Sequence, residues 1–174
     1  MIEAFGGRDE FAYTQLETRH DYIQWLFPSP ERSRFNAQSV PLSAAEGAAI
    51  QADAEAKARV CQAYQLIVDF WGFGLVDAEA GALQCSAGCE TRFANLNTPF
   101  NHNFLRISRV LNCLNATGWK HYVRPFLKAL YVEIYETRRL ECCSQSFASF
   151  WVQQLGEGWE AIARGDFPRA LGVS

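Results

Sequence analysis

The pattern that organises this sequence is a short, strongly apolar stretch from His20 to Pro28, which reads HDYIQWLFP. Five of its nine residues are bulky and apolar or aromatic, which is too many for one exposed face of a short helix. Thr18 and Asp21 have the spacing of a capping box, and Pro28 blocks continuation. The pattern predicts a helix over residues 19–27 that lies buried at the centre of the core and is held there by tertiary contacts.

A longer helical pattern begins at Ser43. Ser43 and Glu46 match a second capping box, and the Ala-rich sequence that follows carries Glu and Lys, which favours an unbroken helix to Phe70. Apolar residues then recur at helical spacing at Val60, Tyr64, Ile67 and Trp71. Because residues 44–58 are small and polar, we expect the second half of this helix to be the buried half.

A third helix is predicted from Asn101, as its N-cap, to Gly118. Its apolar face is formed by Phe104, Ile107, Leu111 and Leu114. At about 100° per residue, Arg106 and Arg109 fall on roughly the opposite side. We therefore expect these two arginines to reach solvent or a partner.

Weaker patterns predict further helices and loops. Phe11, Tyr13 and Leu16 fit a short helix, residues 90–96 fit another, and residues 119–134 fit a third that Pro125 either kinks or restarts. Prolines bracket a loop over residues 28–41. In that loop we expect Phe35 and Val40 to anchor on the core.

The C-terminal part predicts a helix that begins at Ser144 and closes at Gly156. Its inward residues are expected to be Phe147, Phe150, Trp151 and Leu155. A final turn is predicted over 159–164.

The predicted fold class is all-α. No alternating run of five or more residues indicates a strand, no period of about 20 to 50 residues repeats, and residues 77–88 are interpreted as a loop. We expect a single irregular helical domain of about 6–8 helices around the short buried helix at 19–27. The domain is expected to cover residues 1–174 without a separate linker or tail.

Composition indicates a folded globular protein, since 49% of the residues are hydrophobic and 14% aromatic. No run is long enough to span a membrane, and Glu3 with no basic and apolar leader argues against a secretory signal. We therefore expect an intracellular protein, cytoplasmic or nuclear. In that setting the six cysteines are expected to be free thiols, and whether Cys85/Cys89 or Cys142/Cys143 are redox-active stays open.

Charge is distributed unevenly along the chain. The net charge is −3 overall, but residues 1–91 carry −7, residues 92–139 carry +6 and residues 140–174 carry −2. A basic segment can attract nucleic acid, or it can pair with the acidic first half of the same fold. Because the pI is acidic, at about 5.6, the intramolecular interpretation is favoured and nucleic acid is not expected as a partner.

Motifs for catalysis or cofactors are missing from the sequence. The three histidines and six cysteines show no spacing typical of a zinc site, and Cys85-x3-Cys89 alone supplies two ligands. No Gly-x-Ser-x-Gly elbow, phosphate loop or dinucleotide fingerprint occurs. We expect no enzyme activity, no metal and no cofactor.

Polar residues cluster in and near the predicted turns, and they are the candidate binding residues. Arginine can bind a carboxylate or phosphate through a bidentate fork, whereas Asn and Arg at a helix start can equally hydrogen-bond the turns of their own chain. The candidates, with two from the apolar stretch, are His20, Gln24, Arg92, Asn95, Asn97, His102, Asn103, Arg106 and Arg109.

Four blocks of this sequence, in order, resemble the conserved domain of the opioid growth factor receptor family. They are the stretch 20–28, then Ala63-Tyr64 through Phe70-Trp71-Gly72, then 92–97, which reads RFANLN, and 102–111, which reads HNFLRISRVL. The family-like core covers about residues 17–155. Vertebrate members are described as receptors for the pentapeptide Met-enkephalin, associated with the nucleus and with restraint of cell proliferation, so the resemblance implies a peptide-binding role.

The leading hypothesis is a non-enzymatic domain that binds a short peptide or protein segment. Arginines could hold a terminal carboxylate while aromatic side chains take an apolar group. The alternative is a structural or adaptor subunit of a larger protein assembly. Neither the ligand nor the oligomeric state follows from the sequence.

Overall fold

Helices dominate the fold, which confirms the predicted all-α class. The structure is a computed structural model that describes residues 10–33, 36, 38–156 and 159. The eight α-helices of this described part are α1 Glu10–Thr18, α2 Ile23–Leu26, α3 Ala44–Ala52, α4 Ala54–Phe70, α5 Cys89–Leu96, α6 Asn103–Ala116, α7 Val123–Tyr131 and α8 Ser144–Ser146.

Shorter helical turns flank α7 and α8. The 3₁₀ turns cover Lys120–Tyr122, Glu141–Cys143 and Val152–Leu155, and the π turns cover Val132–Glu136 and Phe147–Trp151. The sequence predicts helices over 119–134 and from Ser144 to Gly156, so the other turns fall within or overlap predicted helical regions while Glu141–Cys143 does not, and the helix type changes along these regions. Within the described ranges, no helix combines the length and the apolar character needed to cross a membrane.

Two helices replace the single helix predicted from Ser43 to Phe70. The capping box is confirmed, because Ser43 Oγ accepts from Glu46 N at 3.2 Å and Glu46 Oε2 accepts from Ser43 N at 2.8 Å. The chain is then interrupted at Asp53, which is extended (φ −95°, ψ 113°). Its Oδ1 accepts from Ala56 N at 2.9 Å, so the carboxylate caps α4 and separates it from α3.

The core lies where α4, α6 and α7 meet. Trp71, directly after α4, stacks nearly parallel on Phe126 of α7, with ring centroids 5.9 Å apart. The predicted inward residues of α4 and α6 are confirmed as buried, at 7% exposure or less, apart from Phe104, which is half-buried. Phe104 packs edge-on against Trp151 at 6.0 Å between centroids.

A small β-hairpin interrupts the helical fold where the sequence predicts a loop. Strands β1 (Phe73–Asp77) and β2 (Ala82–Cys85) pair antiparallel, with Phe73 opposite Cys85 and an irregularity between Leu75 and Asp77. The expectation of no strand is therefore wrong, because the pairing depends on a tight turn rather than on alternation. Asp77 Oδ1 accepts from Glu79 N at 2.8 Å and from Ala80 N at 2.9 Å, which closes that turn.

The hairpin tip is fixed against the segment before α7. Tyr122 Oη donates to Ala78 O. Gly81 has φ +72°, and a Cβ there would lie 2.5 Å from Tyr122 Cδ1. A side chain at position 81 is therefore excluded both by the backbone conformation and by the ring packed against it.

The short helix predicted over 19–27 is confirmed only in part. Helix α2 covers just Ile23–Leu26, and the predicted capping box does not form: Thr18 Oγ1 donates back to Thr14 O at 2.8 Å, while Asp21 pairs with Arg19 at 2.9 Å. Tyr22, Ile23 and Phe27 are at most 5% exposed, so the stretch does enter the core. Trp25 is 59% exposed, and its predicted burial is wrong.

Two other predicted core residues are exposed. Val40 does not anchor its loop on the core, and Phe150 points outward from the π turn, because the five-residue turn changes which side chains face inward. Phe147 and Trp151 are buried as predicted. Phe35 and most of the turn predicted over 159–164 lie outside the described residues.

Candidate functional site

Arg106 ties the first part of the chain to α6. Its Nη1 donates to Leu16 O at 2.9 Å and to Asn103 Oδ1 at 3.0 Å, and its Nη2 donates to Arg19 O at 2.8 Å. Its guanidinium carbon lies 5.3 Å from the centre of the Tyr22 ring. The residue is only 5% exposed, so the expectation that it reaches solvent is wrong.

Arg109 repeats this arrangement one turn further along α6. Its Nε donates to Phe27 O at 2.9 Å, and its Nη2 lies 3.4 Å from Ser39 Oγ. The residue is half-buried, and burial lowers the pKa of both Arg106 and Arg109. Both guanidinium groups thus hold backbone carbonyls of residues 16–27, and a ligand carboxylate would have to displace those bonds.

Asn103 connects this clamp to the core and to α1. Its Oδ1 accepts from Arg106 and from Trp71 Nε1, the latter at 3.4 Å. Its Nδ2 donates to Glu17 Oε2 at 3.2 Å. Asn103 is only 3% exposed. It therefore orients the Glu17 carboxylate from the protein interior and is not available to contact a ligand.

A cleft lies between the end of α1 and the turn before α6. It has a volume of about 480 Å³, and we call it the α1–α6 cleft. Its lining residues are Glu17, Ala94, Asn95, Thr98, Pro99, Phe100, Asn101 and His102.

The turn that forms one wall of the cleft is fixed by side-chain bonds. Asn101 Nδ2 donates to Asn95 O and to Thr98 Oγ1, both at 2.8 Å. Phe100 sits between them with φ +58°, a conformation that costs a non-glycine residue about 1 kcal/mol or more. Its side chain is fully exposed, so the turn presents an aromatic ring to solvent at the edge of the cleft.

Within the cleft, His102 lies beside Glu17, and its ring also packs against His20, an exposed residue that does not itself line the cleft. The rings of His20 and His102 lie 5.2 Å apart between centroids, and His102 Nε2 lies 3.4 Å from Glu17 Oε1 without hydrogen-bond geometry. Burial lowers the pKa of His102. The neighbouring Arg106 and His20 lower it further, whereas Glu17 raises it. His102 is therefore neutral at pH 7 and offers ring nitrogens that can accept or donate a hydrogen bond.

The remaining candidate residues lie away from the cleft. Arg92 donates to Tyr13 Oη at 3.1 Å, Ser86 Oγ at 2.5 Å and Ala87 O at 2.8 Å. Asn97 Oδ1 accepts from Cys142 N at 2.8 Å. Gln24 is 9% exposed, and within the described part of the chain its Oε1 has no hydrogen-bond partner.

The structure therefore divides the nine candidate residues. It brings Asn95 and His102 together in the cleft lining, with His20 packed against His102 and with Asn103 and Arg106 directly behind. Glu17 and Phe100 also belong to the cleft, although sequence reasoning did not select them. A large aromatic residue inside a polar turn is a signal that could have identified Phe100.

Comparison with known proteins identifies the family of this chain. A family profile described as the opioid growth factor receptor (OGFr) conserved region matches residues 1–158. The chain belongs to the opioid growth factor receptor family. The resemblance inferred from the four sequence blocks is thereby confirmed.

Relatives of this family member are considerably longer proteins. The chain is 36% identical over 140 residues to the opioid growth factor receptor of Rattus norvegicus, covering 80% of this chain and 24% of that protein. It is 34% identical to the opioid growth factor receptor of Homo sapiens over 140 residues, which cover 80% of this chain and 20% of that protein. It is 33% identical to opioid growth factor receptor-like protein 1 of Xenopus tropicalis over 143 residues, which cover 82% of this chain and 27% of that protein. The chain thus matches about a fifth to a quarter of their length. No solved structure gives a significant match.

In this opioid growth factor receptor-family domain, the cysteines differ from expectation. Cys85 and Cys89 form a disulfide, so the prediction of six free thiols is wrong for this pair. The other four are free thiols, and burial raises the pKa of Cys113 and of Cys143 to about 12. Cys85, Cys89 and Glu90 are also the group of potential metal ligands within the described residues, with ligand atoms within 4.8 Å of one another.

His102 is expected to make the stability of this family member depend on pH. Because its pKa is lowered in the folded state, the unfolded chain binds a proton at a higher pH than the folded chain. The stabilising contribution is therefore complete above the ordinary pKa of about 6.5 and is lost as the pH falls toward the lowered value. Urea midpoints measured from about pH 7.5 to 5 should fall less steeply in H102Q than in the parent protein.

The matched control for this measurement is H121Q. His121 is exposed and packs on Trp119 and Tyr122, away from the cleft. An unchanged pH slope in H102Q, or an equal change in H121Q, would contradict the role given to His102.

Proposed function

We propose that this chain is a non-enzymatic binding domain of the opioid growth factor receptor family that recognises a short peptide or protein segment in the α1–α6 cleft. The observation that carries the proposal is the juxtaposition of a cleft of about 480 Å³ with Phe100, an aromatic ring that is fully exposed and held in an unfavourable backbone conformation. Residues kept in such conformations cluster at ligand-binding sites.

The polar groups of the cleft favour the amino end of a peptide over its carboxyl end. Glu17 provides a carboxylate that Asn103 orients, and His102 beside it is neutral at pH 7. A peptide ammonium group would form charge-assisted hydrogen bonds to that carboxylate. The guanidinium groups that could hold a terminal carboxylate are occupied by backbone carbonyls.

An apolar side chain of the same peptide would pack on Phe100. Aromatic contacts of this kind contribute about 0.5–1.5 kcal/mol beyond area burial. The cleft therefore offers groups suited to recognising a peptide, namely a carboxylate, an imidazole and an exposed aromatic ring.

Calorimetric titration tests this proposal. The probe is Met-enkephalin, the pentapeptide implied by the family, together with the same peptide acetylated at its amino group. We expect E17Q to weaken binding about tenfold or more, because one charge-assisted hydrogen bond is worth about 1.5–3 kcal/mol. F100A should also weaken binding, and N-acetylation should abolish the difference between E17Q and the parent protein.

The matched control is F150A, which removes another exposed phenylalanine that does not line the cleft. An equal loss of affinity in F150A and F100A would contradict the proposed site. So would unchanged affinity in E17Q, or no heat of binding with either peptide at a protein concentration that detects micromolar affinity.

The alternative function, a structural or adaptor subunit, is supported by exposed apolar side chains outside the cleft. Trp25 and Leu105 are 59% and 57% exposed. Exposed apolar residues of this size are enriched in protein interfaces. Co-purification of another chain at fixed stoichiometry, lost in W25A/L105A but retained in E17Q, would favour this function over the peptide-binding one.

A further inference from the structure

The disulfide joins two elements and exposes its two sulfurs unequally. Cys85 is the last residue of β2, and Cys89 is the first residue of α5. Cys89 is fully buried, whereas Cys85 is half-buried. Cys85 also lines a second cavity, of about 410 Å³, together with Phe73, Leu83, Lys128, Val132 and Glu133. Of the two cysteines, Cys85 therefore borders the cavity, whereas Cys89 is buried and does not line it.

A fixed positive charge lies against both sulfurs. Arg139 Nη1 is 3.7 Å from Cys85 Sγ and 3.6 Å from Cys89 Sγ. Two bonds to the buried carboxylate of Glu133, from Nε at 2.8 Å and from Nη2 at 2.7 Å, hold the guanidinium in place. Its carbon also lies 4.9 Å from the centre of the Phe93 ring. The arginine is thus positioned by two groups, the Glu133 carboxylate and the Phe93 ring, and presents its remaining nitrogen to the sulfurs.

This arrangement stabilises a thiolate at either cysteine. A neighbouring guanidinium favours the thiolate over the thiol, and so does the start of a helix, where Cys89 stands. Two carboxylates act in the opposite direction: Glu90, whose oxygen lies within 4.8 Å of the sulfurs, and Glu133, which pairs with the same guanidinium and offsets part of its charge. The balance of these charges governs how readily a sulfur of this pair leaves during thiol–disulfide exchange.

We propose that Cys85 and Cys89 form a site of reversible exchange with a low-molecular-weight thiol that enters the cavity beside Cys85. The thiolate of the incoming molecule attacks Cys85 Sγ, a mixed disulfide forms at Cys85, and Cys89 leaves as a thiolate beside Arg139. A second thiol attacks the mixed disulfide at the sulfur of the small molecule and releases the Cys85 thiolate. Two thiols are oxidised to one disulfide, the protein pair gains two electrons, and the two thiol protons pass to the cysteines or to solvent.

The rate at which reduced glutathione opens the bond tests this site. The folded, full-length chain is incubated with glutathione, quenched with acid, alkylated and analysed by mass spectrometry of its peptides. We expect the mixed disulfide at Cys85 rather than Cys89, and full reduction without unfolding. Under the same conditions the buried thiols of Cys113 and Cys143 should stay unmodified.

Charge variants separate this proposal from a purely structural disulfide. R139Q should slow opening about tenfold, because the leaving thiolate loses its counter-charge. E90Q should accelerate it about twofold, since Glu90 is exposed and more strongly screened. The matched control is R138Q, which removes the neighbouring exposed arginine that pairs with Glu141. If R139Q does not fold, E133Q/R139Q removes both members of the buried pair and gives the same readout.

Several results would overturn the proposal. They are the absence of a linkage between Cys85 and Cys89 in the air-oxidised chain, opening only in denaturant, and a mixed disulfide found at Cys89. Equal rates in the parent protein, R139Q and E90Q would likewise remove the basis for an exchange site.

Discussion

Replacing Arg106 with alanine is expected to lower the free energy of unfolding by about 3–5 kcal/mol. The substitution removes the donor from two buried acceptors, the Leu16 carbonyl and one lone pair of Asn103 Oδ1, and from the partly buried carbonyl of Arg19. Each unsatisfied buried group costs about 1–3 kcal/mol, although water entering the space at Arg19 offsets part of the loss. The measurement is urea unfolding followed by circular dichroism and by tryptophan fluorescence.

The matched control for R106A is R59A. Arg59 pairs with Glu55 on the exposed face of α4, with 68% of its side chain accessible to solvent. A surface pair of this kind contributes little to stability, so the R59A midpoint should stay close to that of the parent protein. R106K should be intermediate, because a single ammonium nitrogen cannot replace the two guanidinium nitrogens that donate to the Leu16 and Arg19 carbonyls. Equal midpoints for R106A and R59A would contradict the clamp.

Replacing Trp71 with alanine is expected to cost about 3–5 kcal/mol. Trp71 is 1% exposed, stacks on Phe126 at 5.9 Å, and donates its indole N–H to Asn103 Oδ1. Its removal leaves a large cavity between α4 and α7 and takes a donor away from the residue that also binds Arg106. Thermal and urea unfolding should both report the loss.

Trp25 provides the control within the same chain. It belongs to the most recognisable stretch of the sequence but is 59% exposed, so W25A should shift the unfolding midpoint only slightly. A loss in W25A as large as that in W71A would show that the exposed tryptophan is buried in solution. Because Trp71 and Arg106 share Asn103, the double variant W71A/R106A should cost less than the sum of the two single variants.

The helices of this fold were largely predictable from local patterns. The apolar spacing in α4 and α6 identified their buried faces, because side chains three and four positions apart lie on the same side of a helix. The capping box at Ser43 located the start of α3. Asp53 was missed as a break because an aspartate in an Ala-rich stretch is compatible with both a helix interior and a helix start.

The position of Arg106 was not predictable from periodicity. The pattern correctly put it opposite the apolar face of α6, but residues 16–27 cover that second face. Their backbone carbonyls, supplied from far along the chain, are the partners of the guanidinium group. A single-helix pattern shows where a side chain points and does not show what lies there.

The hairpin and the cleft depend on similar non-local information. The sequence predicts a helix to Phe70 and a loop over 77–88, yet the pairing of Phe73 with Cys85 is set by a turn that Tyr122 holds from outside the hairpin. In the cleft, His20 and His102 were selected individually as polar residues near helix starts. Their meeting required α1 and α6 to pack together, which no local pattern indicates.

The contacts of Arg106 also have a consequence for synthesis on the ribosome. Leu16 precedes its guanidinium partner by 90 residues. At about 5 to 20 residues per second, translation takes several seconds to supply α6 after Leu16 has been made. Throughout that interval the Tyr22 ring and the carbonyls of Leu16 and Phe27 lack the arginine side chains that they contact in the folded protein, so residues 16–27 can complete these contacts only after α6 has been made.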